Sequence, residues 1–281
     1  MKSFARKWLL PPGISRLFFN APPSVKRLWG WRPSEPELVE LSPSGKSAAS
    51  LDDLRVVPHG EIVWVETEKL RKGGRAFTWQ QNHHVRYLKD GIESYRKFFE
   101  LHQPRDQFEA LMLDVSKVGD FSPVQFPRIR DPWSFEVRWD GENGMGPQHG
   151  YQGHGPITET KLLREKERLD AIRDSVAKRG FGQVKGDFKV FGEVLVDDSE
   201  PGLSDYRVCM TAGLHRTSLL AHLGWPIIPM MPLSTMPWRE VRLSDVARWP
   251  GVLDGTFSEE AARAYFLAHF RDPTEELLAG W

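Results

Sequence analysis

Cysteine is almost missing from this chain: Cys209 is the only one in 281 residues. That excludes an intramolecular disulfide framework and a cysteine-based zinc cluster, and it suits a reducing compartment. Net charge is missing as well, because Lys plus Arg and Asp plus Glu stand at 38 each. No global positive field therefore argues for nucleic acid, and only a local patch remains open. No apolar run reaches the length of a membrane-spanning helix, and Pro11-Pro12 interrupts the one short candidate for a signal-peptide core, so a cleaved signal is not expected. Nor does any internal repeat of fixed period recur. What is present, 40% hydrophobic and 11% aromatic residues, suffices to bury a sizeable core in one elaborated domain or two.

Acidic residues are absent from the first 34 positions, which carry Lys2, Arg6, Lys7, Arg16, Lys26, Arg27 and Arg32 interleaved with Trp8, Leu9, Phe18, Phe19, Trp29 and Trp31. Two readings stand side by side. One is an interfacial segment that lies on an anionic membrane or docks on a partner, and the other is a basic tail packed on its own domain. Residues 33–50 are rich in Pro, Ser and Glu and read as a linker, so residues 1–50 form an N-terminal extension and order begins near Leu51.

The remainder reads as an α+β chain. Residues 61–70 (EIVWVETEKL) alternate as one strand, and Val85, Leu88, Ile92, Tyr95, Phe98 and Phe99 recur at helical spacing, as one helix or two. Trp133, Phe135, Val137 and Trp139 alternate like a short strand before the glycine-rich GENGMGPQHGYQGHG loop. Together these make residues 51–158 a first strand plus a helical and glycine-rich insertion. Residues 159–240 hold the denser pattern. A helix is expected over 159–179, with Leu162, Leu169, Ile172 and Val176 on one face and Gly180 at its end. Strands over 191–196 and 206–210, a helix over 214–223 and a strand over 227–231 follow. Residues 241–281 form a C-terminal segment whose helix opens at Ser258 with Glu259 and Glu260 in its first turn.

Candidate chemistry concentrates at VCMTAGLHRTSLLAHLGWPIIPMMP, residues 208–232. A strand, a glycine turn and a helix start leave unpaired backbone N–H groups and the positive end of a helix dipole at one spot, which suits an anion. Gly213, Leu214, His215, Arg216 and Thr217 would form that site, with Arg216 as a bidentate phosphate or carboxylate donor. The plainer alternative is a turn whose glycine only solves backbone sterics. Thr211 and Thr217 read equally as hydroxyl donors to a ligand or as cap and core residues. His149 and His154, with Gln148 and Gln152, could contact phosphate, sugar hydroxyls or a metal, against the alternative of a flexible surface loop; two histidines without a third ligand are weak evidence for zinc. A helix boundary accounts for His83 and His84.

The series RLDAIRDSVAKRGFGQ, GEVLV and YRVCMTAGLHRTSLLAHLGWPIIPM resembles the core of the ParB/sulfiredoxin-like fold, over about residues 162–232. In that fold a helix precedes two strands, and the second runs into a Gly-x-His-Arg or Gly-x-Arg-Arg turn that binds nucleotide phosphates. Residues 61–70 would be its first strand. Weaker echoes in WPGVLDGTFSEEAARAYFLAHF and LLPPGI resemble members found in surface-polysaccharide clusters. Sulfiredoxins place a catalytic cysteine where this chain has Leu214, so sulfinic acid reduction is not implied. Neither the helix-turn-helix domain nor the basic surface of partition proteins is found, which leaves DNA binding a distant third reading.

The branch resembling free-serine kinases implies ATP or CTP with Mg²⁺, a phosphate turn formed by Gly213, His215 and Arg216, and a carboxylate that serves the acceptor hydroxyl. Leu214 departs from the first His of that motif. Glu193, at the start of a core strand, is the carboxylate expected by position, with His215 beside it in catalysis. The resemblance thus implies a cytoplasmic nucleotide-dependent phosphotransferase or hydrolase acting on a small hydroxyl substrate of envelope polysaccharide synthesis, and the membrane reading of residues 1–34 would place it at the inner membrane face. The alternative is a catalytically silent nucleotide-binding or scaffold protein.

Overall fold

The computed structural model describes residues 38–58, 60–72, 78–118, 123–126, 128–135, 138–139, 145–184, 190–233 and 240–271. The basic segment 1–34 and residues 141–144 of the glycine-rich loop lie outside them. Strand β1 (Leu38–Glu40) is followed by helix α1 (Leu51–Val56), which a capping box opens. In it Ser50 Oγ accepts from the Asp53 N–H at 3.2 Å and Asp53 accepts from the Ser50 N–H at 2.8 Å. The single strand expected over 61–70 is divided into β2 (Val63–Glu66) and β3 (Leu70–Lys72) by a 3₁₀ turn at Thr67–Lys69. The break has a local cause: the Thr67 N–H donates to Pro226 O (2.9 Å) and its hydroxyl to Trp225 O (2.6 Å), which ties the turn to another segment.

Asn82 caps α2 (His83–Asp90) by accepting from the His84 N–H. Gly91, at φ +83°, then breaks the long apolar pattern and starts α3 (Ile92–Leu101). Asp106 opens α4 (Gln107–Ala110), and β4 (Arg128–Ile129) pairs antiparallel with β5 (Arg138–Trp139). The strand expected from Trp133 onward begins later, because Ser134 N–H closes a turn on Asp131 O at 2.9 Å; Trp133 is buried while Phe135 is 67% exposed. Helix α5 (Glu159–Arg179) runs as expected from its Thr158 cap to Gly180. It is followed by β6 (Gly182–Val184), β7 (Phe191–Glu200), β8 (Leu203–Ala212), α6 (Leu214–His222), β9 (Ile227–Pro232), β10 (Val241–Arg242), α7 (Pro250–Leu253) and α8 (Glu259–Ala268), the last capped by Ser258. Apart from β6, an additional strand that pairs with β1 outside the main sheet, the order helix, strand, strand, helix, strand in the second half is as expected, as is the α+β class.

The chain divides into two units. One comprises residues 1–39 and 183–188, and its described residues belong to β1 and β6, which form a two-stranded sheet. The other carries the main sheet, of strand order β2-β9-β7-β8-β3, with β10 also pairing with β7. It is a mixed sheet: β7 and β8 are antiparallel, whereas β3 runs parallel to β8 and β9 parallel to β7. Laid flat, five strands would hold their edges ~19 Å apart. Glu66 and Leu70, on the two edge strands, are four residues apart and at most ~14 Å. The sheet must therefore curl, and the 3₁₀ turn bridges its edges.

Register and period-two alternation sort the side chains onto two faces. Arg71, Cys209 and Glu193 are cross-strand partners in one row, on the same face as Leu195. Lys72, Met210 and Gly192 form the adjacent row, which points to the opposite face. The first face packs under α8 and the Leu243–Arg248 turn, in a core that contains Leu195, Cys209, Trp133, Trp249, Tyr265 and Phe266. A separate apolar cluster joins α2, α3 and α5 through Tyr87, Tyr95, Phe98, Phe99, Leu162 and Leu169. Among the described residues no helix is long and apolar enough to cross a membrane.

Candidate functional site

The end of β8 turns into α6 through Gly213, whose φ of +84° and ψ of +19° place it in the left-handed region that side chains with a Cβ adopt at a cost. No side chain caps this helix. The Thr217 N–H reaches Gly213 O at 3.0 Å and closes the first turn, so the N–H groups ahead of it lack intrahelical acceptors. Leu214 is buried and packs. Arg216, the third residue of the helix, is half-buried, and among the described residues it has no hydrogen bond or ion pair. Thr211 donates to Phe191 O at 3.4 Å.

His215 is tethered from a different element. Its Nε2 lies 2.6 Å from Glu165 Oε2, on the fully buried face of α5. Lys161 Nζ and Arg168 Nη1 each approach the other carboxylate oxygen at 3.4 Å. Burial alone would raise the Glu165 pKa. The hydrogen bond and charge of His215, with the charges of Lys161 and Arg168, outweigh it and bring the carboxyl down to about 2. With the carboxylate accepting, Nε2 of the neutral imidazole carries the proton and Nδ1 keeps the basic lone pair.

His84 lies behind this pair. Its ring is centred 4.7 Å from that of His215, and its Nδ1 is 2.6 Å from the Tyr95 hydroxyl. Burial, and then the nearby His83, His215, Lys72 and Arg168, hold its pKa well below the usual histidine value. The region beside the first turn of α6 is thus cation-rich, with Lys72 arriving from the end of β3 and Lys161 and Arg168 from α5.

The other expected site residues stand elsewhere. Glu193 is buried, and its Oε2 accepts from Trp133 Nε1 at 2.9 Å. It belongs to the row that faces the C-terminal core, on the side of the sheet opposite Lys72, because alternate residues of a strand point opposite ways. The carboxylate brought to His215 is Glu165 instead. His149 Nδ1 lies 3.0 Å from Thr158 Oγ1, the hydroxyl that caps α5. His154 packs its ring against Phe126 (4.0 Å) and Tyr151 (5.2 Å). These contacts give the two loop histidines separate packing and capping partners.

Sequence reading missed Glu165, His84 and Lys72. Glu165 did leave a signal: it falls between Leu162 and Leu169 on the apolar stripe of α5, where an unpaired carboxylate is not tolerated. His84 left none beyond its helix boundary, since its partners are Tyr95 in the next helix and His215, 131 positions further along the chain.

A histidine held by a buried carboxylate beside an uncapped helix start, with a free guanidinium in the same turn, can accept a proton and bind an anion. Among the described residues no group of three or more His, Cys, Asp or Glu could hold a metal ion. No family model, curated protein or solved structure matches the chain.

Proposed function

We propose that the Gly213 turn binds the phosphates of a nucleotide, ATP or CTP, and that the chain transfers or hydrolyses a phosphoryl group there. The observation that supports this most directly is the uncapped start of α6, where Arg216 has no partner among the described residues and His215 is oriented by buried Glu165. In phosphoryl transfer most of the catalysis is positioning and charge stabilisation. Arg216 and the first N–H groups of α6 hold the phosphate oxygens. His215 Nδ1 takes the proton of an acceptor hydroxyl, or of water, as that oxygen bonds to the terminal phosphorus. The bond from phosphorus to the bridging oxygen then breaks, and the shortened nucleotide leaves. Glu165 stabilises the imidazolium that forms.

Magnesium would travel on the nucleotide's own phosphates, in keeping with its preference for substrate oxygens and water. No step is assigned to a metal held by the protein, for which the described residues offer no cluster. A silent nucleotide-binding protein would share the turn and Arg216 but would have no use for the Glu165–His215 pair.

Calorimetry across ATP, ADP, CTP and GTP with Mg²⁺ identifies the nucleotide. Changing Arg216 to Ala should then weaken binding by roughly 2 kcal/mol. His215→Gln should keep most of the affinity and lower product release by about a hundredfold or more. Unchanged affinity in a folded Arg216→Ala protein would sink the phosphate site. Binding without turnover in the wild type would leave the silent reading in its place.

A further inference from the structure

Trp79, His84 and Thr217 belong to three elements that pack on one another: the 3₁₀ turn Trp79–Gln81, helix α2 and helix α6. All three side chains are fully buried, and each carries a polar atom without a hydrogen-bond partner among the described residues, namely Trp79 Nε1, His84 Nε2 and Thr217 Oγ1. Buried polar atoms in folded proteins are nearly always paired, so three orphans on neighbouring elements need an explanation. The local chemistry does not supply one. A helical threonine can bond back to the carbonyl four residues earlier, as Ser218 does to Leu214 O at 2.8 Å; Thr217 does not. His84 already meets Tyr95 through Nδ1, which leaves only Nε2 idle.

Their place is specific. Thr217 closes the first turn of α6, and the His84 ring stands 4.7 Å from that of His215 in the same turn. The character of the set is also specific. An indole N–H only donates, a threonine hydroxyl can donate, and His84 Nε2 donates when the Tyr95 hydroxyl donates to Nδ1. Lys72 and Arg168 add positive charge nearby. Such a set fits a ligand that accepts hydrogen bonds and is negative.

We infer that Trp79 Nε1, His84 Nε2 and Thr217 Oγ1 form the inner wall of the Gly213 site and hold oxygens of the bound phosphoryl group. This rests on the reading of that turn as a phosphate site and deepens it. The helix start and Arg216 grip the group from one side, and these three donors complete its shell from the other. The orphaned atoms weaken the ligand-free fold because they are kept for the ligand.

Thr217→Val preserves shape and removes one polar atom, whereas Trp79→Phe removes the indole N–H together with part of a buried ring system. Wild type and both variants would be titrated with ATP, CTP and inorganic phosphate by calorimetry, with melting temperature measured in parallel. Thr217→Val is expected to melt at or above the wild-type temperature, because a costly orphan has gone, whereas Trp79→Phe leaves a cavity and should melt somewhat lower; both are expected to bind the probe at least tenfold more weakly. A loss shared by inorganic phosphate and nucleotide assigns the wall to a phosphoryl group from either source, and a loss confined to nucleotide assigns it to the nucleotide's phosphates. In the wild type, the indole N–H resonance that is missing from the Trp79→Phe spectrum should shift when the probe is added. Full affinity in both variants, or an unmoved resonance while the probe binds, overturns the inner wall and leaves the Gly213 site standing. A wild type that binds none of the three probes overturns both.

Discussion

Two regions of this molecule bury polar side chains, and they do so in opposite ways. In the C-terminal core, Arg71 donates to His269 O (2.9 Å), Glu68 O (2.6 Å) and Leu70 O (2.9 Å), Trp133 donates to Glu193, and the hydroxyl of Tyr265 donates to Asp131 while accepting from Gln107, both at 2.8 Å. Gln107 Oε1 also takes the Arg130 N–H at 2.8 Å. That network is closed apart from Nε2 of His269. Around α6, by contrast, Trp79, His84 and Thr217 all carry idle polar atoms beside a charged cluster. A closed network specifies a fold, because every member needs the others. An open one costs stability, which the inner wall proposed for the Gly213 site would explain.

The largest effect expected from breaking this contrast is at Glu165. Replacing it by Ala leaves Lys161 and the His215 ring beside a lost carboxylate, and removing one partner of a buried pair costs about 3–5 kcal/mol. For a chain of this size the melting temperature should fall on the order of 10 °C. A shift within two or three degrees, on the scale of the surface pairs, would mean that Glu165 is not the centre of the cluster.

Glu193→Gln tests the other face. It loses a charge-assisted bond from Trp133 and should cost about 1–3 kcal/mol of stability while leaving nucleotide affinity and turnover unchanged. Wild-type melting combined with abolished turnover would reverse the roles of the two faces.

Acid separates the regions by a different measurement. The unfolded chain takes up a proton at each histidine near pH 6.5, whereas burial holds the folded pKa of His84 well below that value and also lowers that of His269. The unfolded state therefore binds more protons, and stability declines as pH falls below 6.5, by up to about 1.4 kcal/mol per pH unit for each group. A second decline follows from Glu165, whose stabilising contribution is complete above pH 4.5 and is lost as pH falls toward about 2. His84→Gln should remove part of the first decline, and saturating phosphate should reduce that same part in the wild type by favouring protonated His84, leaving the part due to His269. Urea melts from pH 8 to pH 3 provide the slopes, and a first decline that His84→Gln leaves untouched would count against a neutral His84.

The smallest effect calibrates the rest. Arg96 grips Glu159 with both guanidinium ends, at 2.7 and 2.5 Å, yet both side chains are well exposed. Arg96→Ala should cost no more than about 1 kcal/mol. A larger loss would show that the surface pairs of this protein are as consequential as the buried one.

Much of the second half was legible from local pattern. The 3.6-residue stripe of α5, the alternation of β7 and β8, the glycine at the head of α6 and the serine cap of α8 are signals within a few residues of the elements that they define. The error over residues 61–70 has a physical source. Local alternation cannot register that Thr67 will be captured by Trp225 and Pro226, which splits one expected strand between the two edges of a curled sheet.

The sequence by itself determined the α+β class, the left-handed turn at Gly213 and the Arg216 that follows it, because each depends on backbone sterics or helix geometry inside one short segment. Only the tertiary structure decided which carboxylate serves His215. Glu193 lies nearby along the chain, but pleating turns it to the far face, while Glu165 is 50 positions away on a helix that packs against α6. Its pKa, the neutrality of His84 and the idle atoms of Trp79 and Thr217 exist only once burial removes water from groups that are distant in sequence, and no local pattern records that.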